Sequence, residues 1–498
     1  MKKIICLLIT GLILQFGSES TFAQTPKNAP PKTKKPLPAN ANPNKDSQVK
    51  SVVTPPASSA AVKMDMPDKP EMKSKILPYP ITQKKLPNGL NVVTVPYDSK
   101  GVVAFYIVVR VGSRNEIEPG KTGFAHFFEH MMFRGTKKYS KEKYSAVLKS
   151  TGASANANTS LDRTLYHMTG SSNKLETMFE LESDRFMNLD YSLQDFKTEA
   201  GAVKGEYTKN SSNPYTKLNE MIQNTAFSSH TYKHTTMGFW DDIVDMPNQY
   251  DYSRTFFNRY YRPEYCTIIV VGDTKAEEVN RLAETYFGSW KKGNYVSTVP
   301  PEPVQTATRF THLQKPGFPP FLSLNYKGPA HNDAIIDLPA LDILFSVYFS
   351  ENSDLYNNLV IRDQKARSVD GGVSNTRDPF LISIDASLVD TGDFKLVKET
   401  IMATLVKAST TPVDPQLLKE AKMNLKNSFK MSIDNPSAIS QSLSSFTWLT
   451  GNPESLNNYY WMYDQVTADD LMKVAKKYFR SDRLTIGTIS PNKNEKLK

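Results

Sequence analysis

Cysteine is almost missing from this chain: its 498 residues include only two, Cys6 and Cys266. That excludes a disulfide-stapled scaffold and any thiolate zinc cluster. A bound metal must take its ligands from His, Asp or Glu. Histidine is scarce too, at seven residues, so any clustering of it carries weight. A broad basic surface is also lacking. The formal charge is +10, but residues 24–75 alone hold ten Lys against four acids, and residues 76–498 hold 49 bases against 46 acids. A nucleic-acid groove needs clustered bases on a shaped face, so this distribution speaks against nucleic-acid partners.

The apolar run from Ile4 to Phe16 falls short of the roughly 20 residues that span a bilayer. Lys2 and Lys3 precede it, and small residues lead to Phe22-Ala23. This is the pattern of a secretory signal peptide over residues 1–23, with cleavage expected after Ala23 and Cys6 lost with it. The expected location is periplasmic or secreted, with no stable transmembrane span after cleavage. An uncleaved anchor is the alternative. Residues 24–76 read as a disordered Lys/Pro-rich linker: no aromatic residue lies between Ala23 and Pro78, and 12 of the 32 prolines lie between Pro26 and Pro80. Such a stretch cannot bury enough apolar surface to offset its ordering entropy. Docking on an anionic envelope component is the other reading of its charge.

After Tyr79 the pattern becomes globular. Asn91–Val95, Val102–Val111 and Cys266–Val271 read as strands. The run Tyr260–Gly272 is echoed 218 residues later by Tyr478–Ser490, and Val102–Val111 has a counterpart in Phe321–Lys327. The expectation is an α+β chain of two homologous α/β domains, 77–297 and 298–498, divided near Pro300, Pro301 and Pro303. Each domain is an antiparallel-rich sheet flanked by helices, and the two together make a clam-like half.

The sharpest feature is Gly123-Phe-Ala-His-Phe-Phe-Glu-His-Met-Met-Phe-Arg-Gly135. On a helix, His126, Glu129 and His130 share one face. Two imidazoles one turn apart can bind one zinc ion, with Glu129 beside them to take a proton from an activated water. A third ligand is needed. Ser192–Asp195 reads as a helix start, and Glu199 and Glu206 follow seven residues apart on one face. One of these carboxylates can ligate the metal while the other orients a ligand from behind it.

His-x-x-Glu-His is the inverted zinc motif of the inverzincins. The Gly123–Gly135 run, followed by the Glu pair, closely resembles the pitrilysin and mitochondrial-processing-peptidase family, in particular its two-domain bacterial members. The resemblance covers nearly all of residues 80–498 and is strongest in the first half. It implies a zinc metalloendopeptidase with one Zn²⁺ per chain, held by His126, His130 and Glu206. Glu129 becomes the general base, and Glu199 supports the site from behind. It also implies that Asn156 and Ala157, in the alternating run Asn156–Tyr166 read as one strand, bind substrate backbone by strand addition. The expected substrate is a peptide or unfolded polypeptide.

The second half echoes the metal helix at Leu338–Phe349, without histidine. The family's Arg and Tyr of that half are replaced by Val360 and Arg367. This departure points to a homodimer, or a heterodimer with a related chain that supplies the missing pair. A non-catalytic or weakly active peptide-binding subunit of a hetero-oligomeric peptidase is the alternative function.

Overall fold

The computed structural model describes residues 75–492. The expected signal peptide, its cleavage site, Cys6 and nearly all of the expected linker lie outside the described residues. The description opens with Lys75, which pairs with Glu454 at 2.6 Å. Ile76, placed by the sequence in the linker, is already buried.

Two sheets organise the chain. The first contains β1 (Thr82–Lys85), β2 (Asn91–Pro96), β3 (Val102–Val109), β4 (Ser154–Thr159), β5 (Thr164–Ser171) and β6 (Cys266–Gly272), in the order β1-β2-β6-β3-β5-β4. The second contains β7 (Arg309–Gln314), β8 (Phe321–Lys327), β9 (Ala366–Val373), β10 (Leu381–Leu388) and β11 (Leu484–Ser490), in the order β7-β11-β8-β10-β9. Apart from β1, the pairings coincide. β2 runs parallel to β6 as β7 does to β11, and the other neighbours are antiparallel in both sheets. The fold is mixed α and β, with helices flanking both sheets.

One expectation is corrected. Asn156–Tyr166 is not one strand but the hairpin β4–β5, turning through 160–163. Period-2 alternation runs through the turn, so the sequence alone hides the break. Tertiary contacts hold it: Asp162, buried at the turn, accepts from Tyr232 Oη at 2.8 Å and from the backbone N–H of Arg377 at 3.1 Å.

β3 explains why its sequence is apolar throughout. Val103, Phe105, Ile107 and Val109 face a core shared with Phe124, Phe127 and Phe128. Ala104, Tyr106 and Val108 face the other way, into a core shared with Ile439 and Leu443 of helix Pro436–Thr450. A strand buried on both faces reads as a continuous hydrophobic run. The second half thus covers one face of the first sheet. The reverse also holds: α5 (Pro214–Ala226) lays Leu218, Ile222 and Ala226 against Ile489 and Leu381 of the second sheet. Gly487 permits that approach, since a Cβ there would lie 2.6 Å from Ile222 Cδ1. Both sheets lie in a single compact unit.

Candidate metal centre

Helix α1 (Phe124–Met131) carries the histidines. It starts after Gly123, whose φ of 90° suits glycine, and a Cβ there would meet Ile243 Cδ1 at 2.4 Å. Its first N–H groups lack helical partners. The buried Glu116 carboxyl supplies them, accepting from Gly123 N at 2.7 Å and Ala125 N at 2.8 Å. Burial pushes the Glu116 pKa up to about 8, against the pull of those N–H bonds. The aromatic face of α1 is buried, which fixes the direction in which His126, Glu129 and His130 project.

Helix α4 (Leu193–Ser211) faces α1. Ser192 caps it reciprocally with Asp195, as the sequence predicts. Val203 is buried between Glu199 and Glu206 and orients both carboxylates toward α1. Glu206 Oε2 lies 3.7 Å from His126 Nε2 and 3.3 Å from His130 Nε2. Donor atoms about 2.0–2.2 Å from one tetrahedral ion stand about 3.3–3.6 Å apart. The set His126, His130 and Glu206, with ligand atoms within 4.8 Å of one another, therefore fits a zinc ion.

The groups behind these three hold them in place. His130 Nδ1 meets Glu199 Oε1 at 3.0 Å, which leaves Nε2 directed at Glu206. Arg134 donates to the other oxygen of Glu199. Glu199 is buried, which raises its pKa, yet the bonds from His130 and Arg134 win and hold it below the usual range. Burial disfavours charge on His130, but Glu199 and Glu206 outweigh it and lift its pKa to about 10. Burial lowers that of His126 and favours the neutral ring that a metal requires. Three carboxylates around two imidazoles leave negative charge that suits a divalent cation.

Glu129 is half-buried on the same face and accepts from Thr159 Oγ1 at 2.6 Å. β4 is the edge strand of its sheet and runs beside α1. Ala157 and Thr159 share the face toward α1, whereas Asn156 alternates to the other face, is exposed and accepts from Ala157 N at 2.9 Å. The structure therefore brings together His126, Glu129, His130, Glu199 and Glu206, with Ala157 on the neighbouring strand and the Asn156 side chain turned away. Val360 packs against the second core, and Arg367 donates to the Leu388 carbonyl.

Sequence reasoning missed Arg134, Thr159 and Glu116. Arg134 lies four residues after His130, just past the end of α1, and Thr159 lies at the alternation position that faces α1. Those spacings were readable signals. Glu116 lies in a loop and had none.

Paired sheets of one topology, with two histidines of one helix facing a distal glutamate on another, have the donor set of a zinc metallopeptidase. Residues 92–238 match the family described as Insulinase (Peptidase family M16), and residues 249–425 match Peptidase M16 inactive domain. The chain is 28% identical over 415 residues to the zinc protease PqqE of Helicobacter pylori (strain ATCC 700392 / 26695), covering 82% of this chain and 92% of that one. The crystal structure of a protease from Helicobacter pylori superposes with a TM-score of 0.77 at 27% identity, covering 83% of this chain and 100% of that one. The periplasmic protease PqqL of Escherichia coli shares the fold, with a TM-score of 0.68 at 19% identity over 83% of this chain and 48% of that one. The chain belongs to the M16, or insulinase, peptidase family, whose zinc proteases use zinc.

Proposed function

We propose that the chain is a zinc-dependent endopeptidase that hydrolyses peptides or unfolded polypeptide segments outside the cytoplasm. One observation carries this reading: Glu129, held by Thr159, stands on the same helix face as a His126, His130 and Glu206 set spaced for one ion. Zinc held by these three residues supplies Lewis acidity, polarising a peptide carbonyl and acidifying a water. Glu129 accepts the proton of that water and returns it to the leaving amine. Thr159 fixes the Glu129 carboxylate through one oxygen and leaves the other for the water. Glu199 sets the ring of His130, and Arg134 sets Glu199. The free edge of β4 offers backbone groups to an extended peptide, around Asn156 and Ala157. Residues 77–297 form the metal-bearing domain in this reading, and 298–498 its partner domain. Residues 1–23 export the chain, in keeping with the periplasmic PqqL relative, and 24–76 tether it.

Two observations favour a second reading, a weakly active peptide-binding subunit. Residues 249–425 match Peptidase M16 inactive domain, and the family resemblance implies an Arg and a Tyr at the positions of Val360 and Arg367. A partner chain, identical or related, then completes the site. The test is mass-spectrometric mapping of a peptide library with the purified chain, before and after chelation and zinc add-back. Internal cleavages lost on chelation and restored by zinc support the endopeptidase. Peptide binding without cleavage at any zinc level supports the subunit.

A further inference from the structure

The two halves meet at a second polar site that shares no residue with the metal centre. The turn of hairpin β4–β5 crosses the turn of hairpin β9–β10: Arg377 N donates to Asp162 Oδ2 at 3.1 Å, and Arg114 Nε donates to Asp378 Oδ2 at 2.5 Å. A cavity of about 300 Å³ opens there, and Arg110, Arg114, Arg377 and Asn332 line it. These residues come from the segments after β3 and β8 and from the second turn, so both halves build the walls.

The cavity's carboxylates are engaged. Asp378 takes Arg114 and, at 2.8 Å, His230 Nε2. Asp333 takes His331 at 2.8 Å. Two guanidiniums are not matched in this way. Arg110 donates to the Leu449 carbonyl at 3.1 Å, but its Nε is buried without a partner. Arg377 forms no ion pair among the described residues; the buried Asp162 carboxylate attracts it, as it does Arg110 and Arg114, yet its pKa is pushed down to about 10, by burial first and then by Arg110 and Arg114. Like charges gathered in a partly desolvated cavity repel one another, and an oxyanion relieves that repulsion through charge-assisted, fork-shaped hydrogen bonds.

We propose that this cavity is an oxyanion site, in which the guanidiniums of Arg110 and Arg377, with Arg114 beside them, hold a carboxylate or phosphate group between the two halves. The anion has two possible sources. One is a free inorganic ion such as phosphate. The other is the terminal carboxylate of a bound peptide. Thr159, bonded to Glu129, precedes Asp162 in the hairpin turn by three residues, so at most about 10 Å of chain separates them. A peptide along β4 therefore has the cavity within reach of a few residues.

Two arms test the site on the full chain. In the first, thermal unfolding is followed in sodium phosphate and in sodium chloride at equal ionic strength. The wild type should gain several degrees in Tm specifically in phosphate, saturably, as expected for a ligand of the folded state. Arg110→Gln and Arg377→Gln should each lose the gain while keeping the wild-type circular dichroism, and Arg377→Lys should keep part of it. In the second arm, Glu129→Gln protein binds one peptide made with a terminal carboxylate or a terminal amide. Tighter binding of the carboxylate form by roughly tenfold, abolished by adding Arg377→Gln, assigns the site to substrate. A phosphate gain without that discrimination assigns it to a free anion. Neither effect in wild-type protein, or either effect unchanged in both Gln variants, overturns the proposal. The phosphate arm needs no peptidase activity, so it stands or falls apart from the proposed function.

Discussion

Helices Phe124–Met131 and Asp337–Tyr348 follow β3 and β8, the same strand of the two sheets, yet their interiors differ in kind. The first carries His126, Glu129 and His130. The second, at the corresponding place, carries a half-buried acid, Asp342, which takes Tyr459 Oη at 2.5 Å and Tyr463 Oη at 2.7 Å. The helices that cover them differ likewise. At equal distance from their capping residues Ser192 and Asp414, Glu199 and Glu206 of α4 correspond to Ala421 and Ser428 of helix Pro415–Ser432. Ala421 is buried and Ser428 exposed, and neither helix of the second pair carries a histidine. In the proposed reading the metal donors are an addition to the scaffold, made in one copy and not in the other.

The largest effect that sharpens this contrast is on chemistry. Glu129→Gln should lower kcat by about 10²–10⁴-fold while leaving bound zinc and Tm at wild-type values, as removal of a general base does. Turnover at the wild-type rate would move the base elsewhere. Next comes the exchange of helices between halves. Gly487→Leu drives a side chain into Ile222 and should cost about 1–3 kcal/mol in urea unfolding. An unchanged midpoint would mean that α5 does not bear on the second sheet as described. Thr159→Val removes the hydroxyl that holds Glu129. About 1 kcal/mol lost there lowers kcat roughly fivefold with KM little changed. If KM moved and kcat did not, Thr159 would belong to substrate binding. The last effect lies in the second copy. Burial lifts the Asp342 pKa from 3.8 to about 6 despite its two tyrosine donors. Because the folded state binds that proton more tightly, the stability it contributes is full below about pH 4 and fades as pH rises through 6. Wild-type Tm should therefore fall relative to Asp342→Asn between pH 4 and pH 7. A constant difference would contradict the raised pKa.

Much of the candidate metal centre was readable because it is local. His126, Glu129 and His130 lie within five residues, and α4 announces itself through Ser192 and Asp195. The repeat was readable where both copies keep one pattern, at β3 with β8 and β6 with β11. What escaped is non-local. The turn that splits β4 from β5 depends on Asp162 meeting Tyr232 and Arg377, 70 and 215 residues away. The crossing of α5 and helix Pro436–Thr450 onto opposite sheets depends on Ile222 finding Gly487. One signal for it was present and unread: both exchanged helices begin Asn-Pro, at Asn213-Pro214 and Asn435-Pro436, with the Asn as N-cap.

The central claim is that one copy of the repeat holds a metal through His126, His130 and Glu206. Zinc content per chain, measured on purified wild-type and Glu206→Gln protein, tests it most directly. The account predicts about one zinc in the wild type, as one set of two His and one Glu can hold, and almost none in the variant. Wild-type protein without zinc after metal-replete purification, or a variant that keeps its full content, would contradict it.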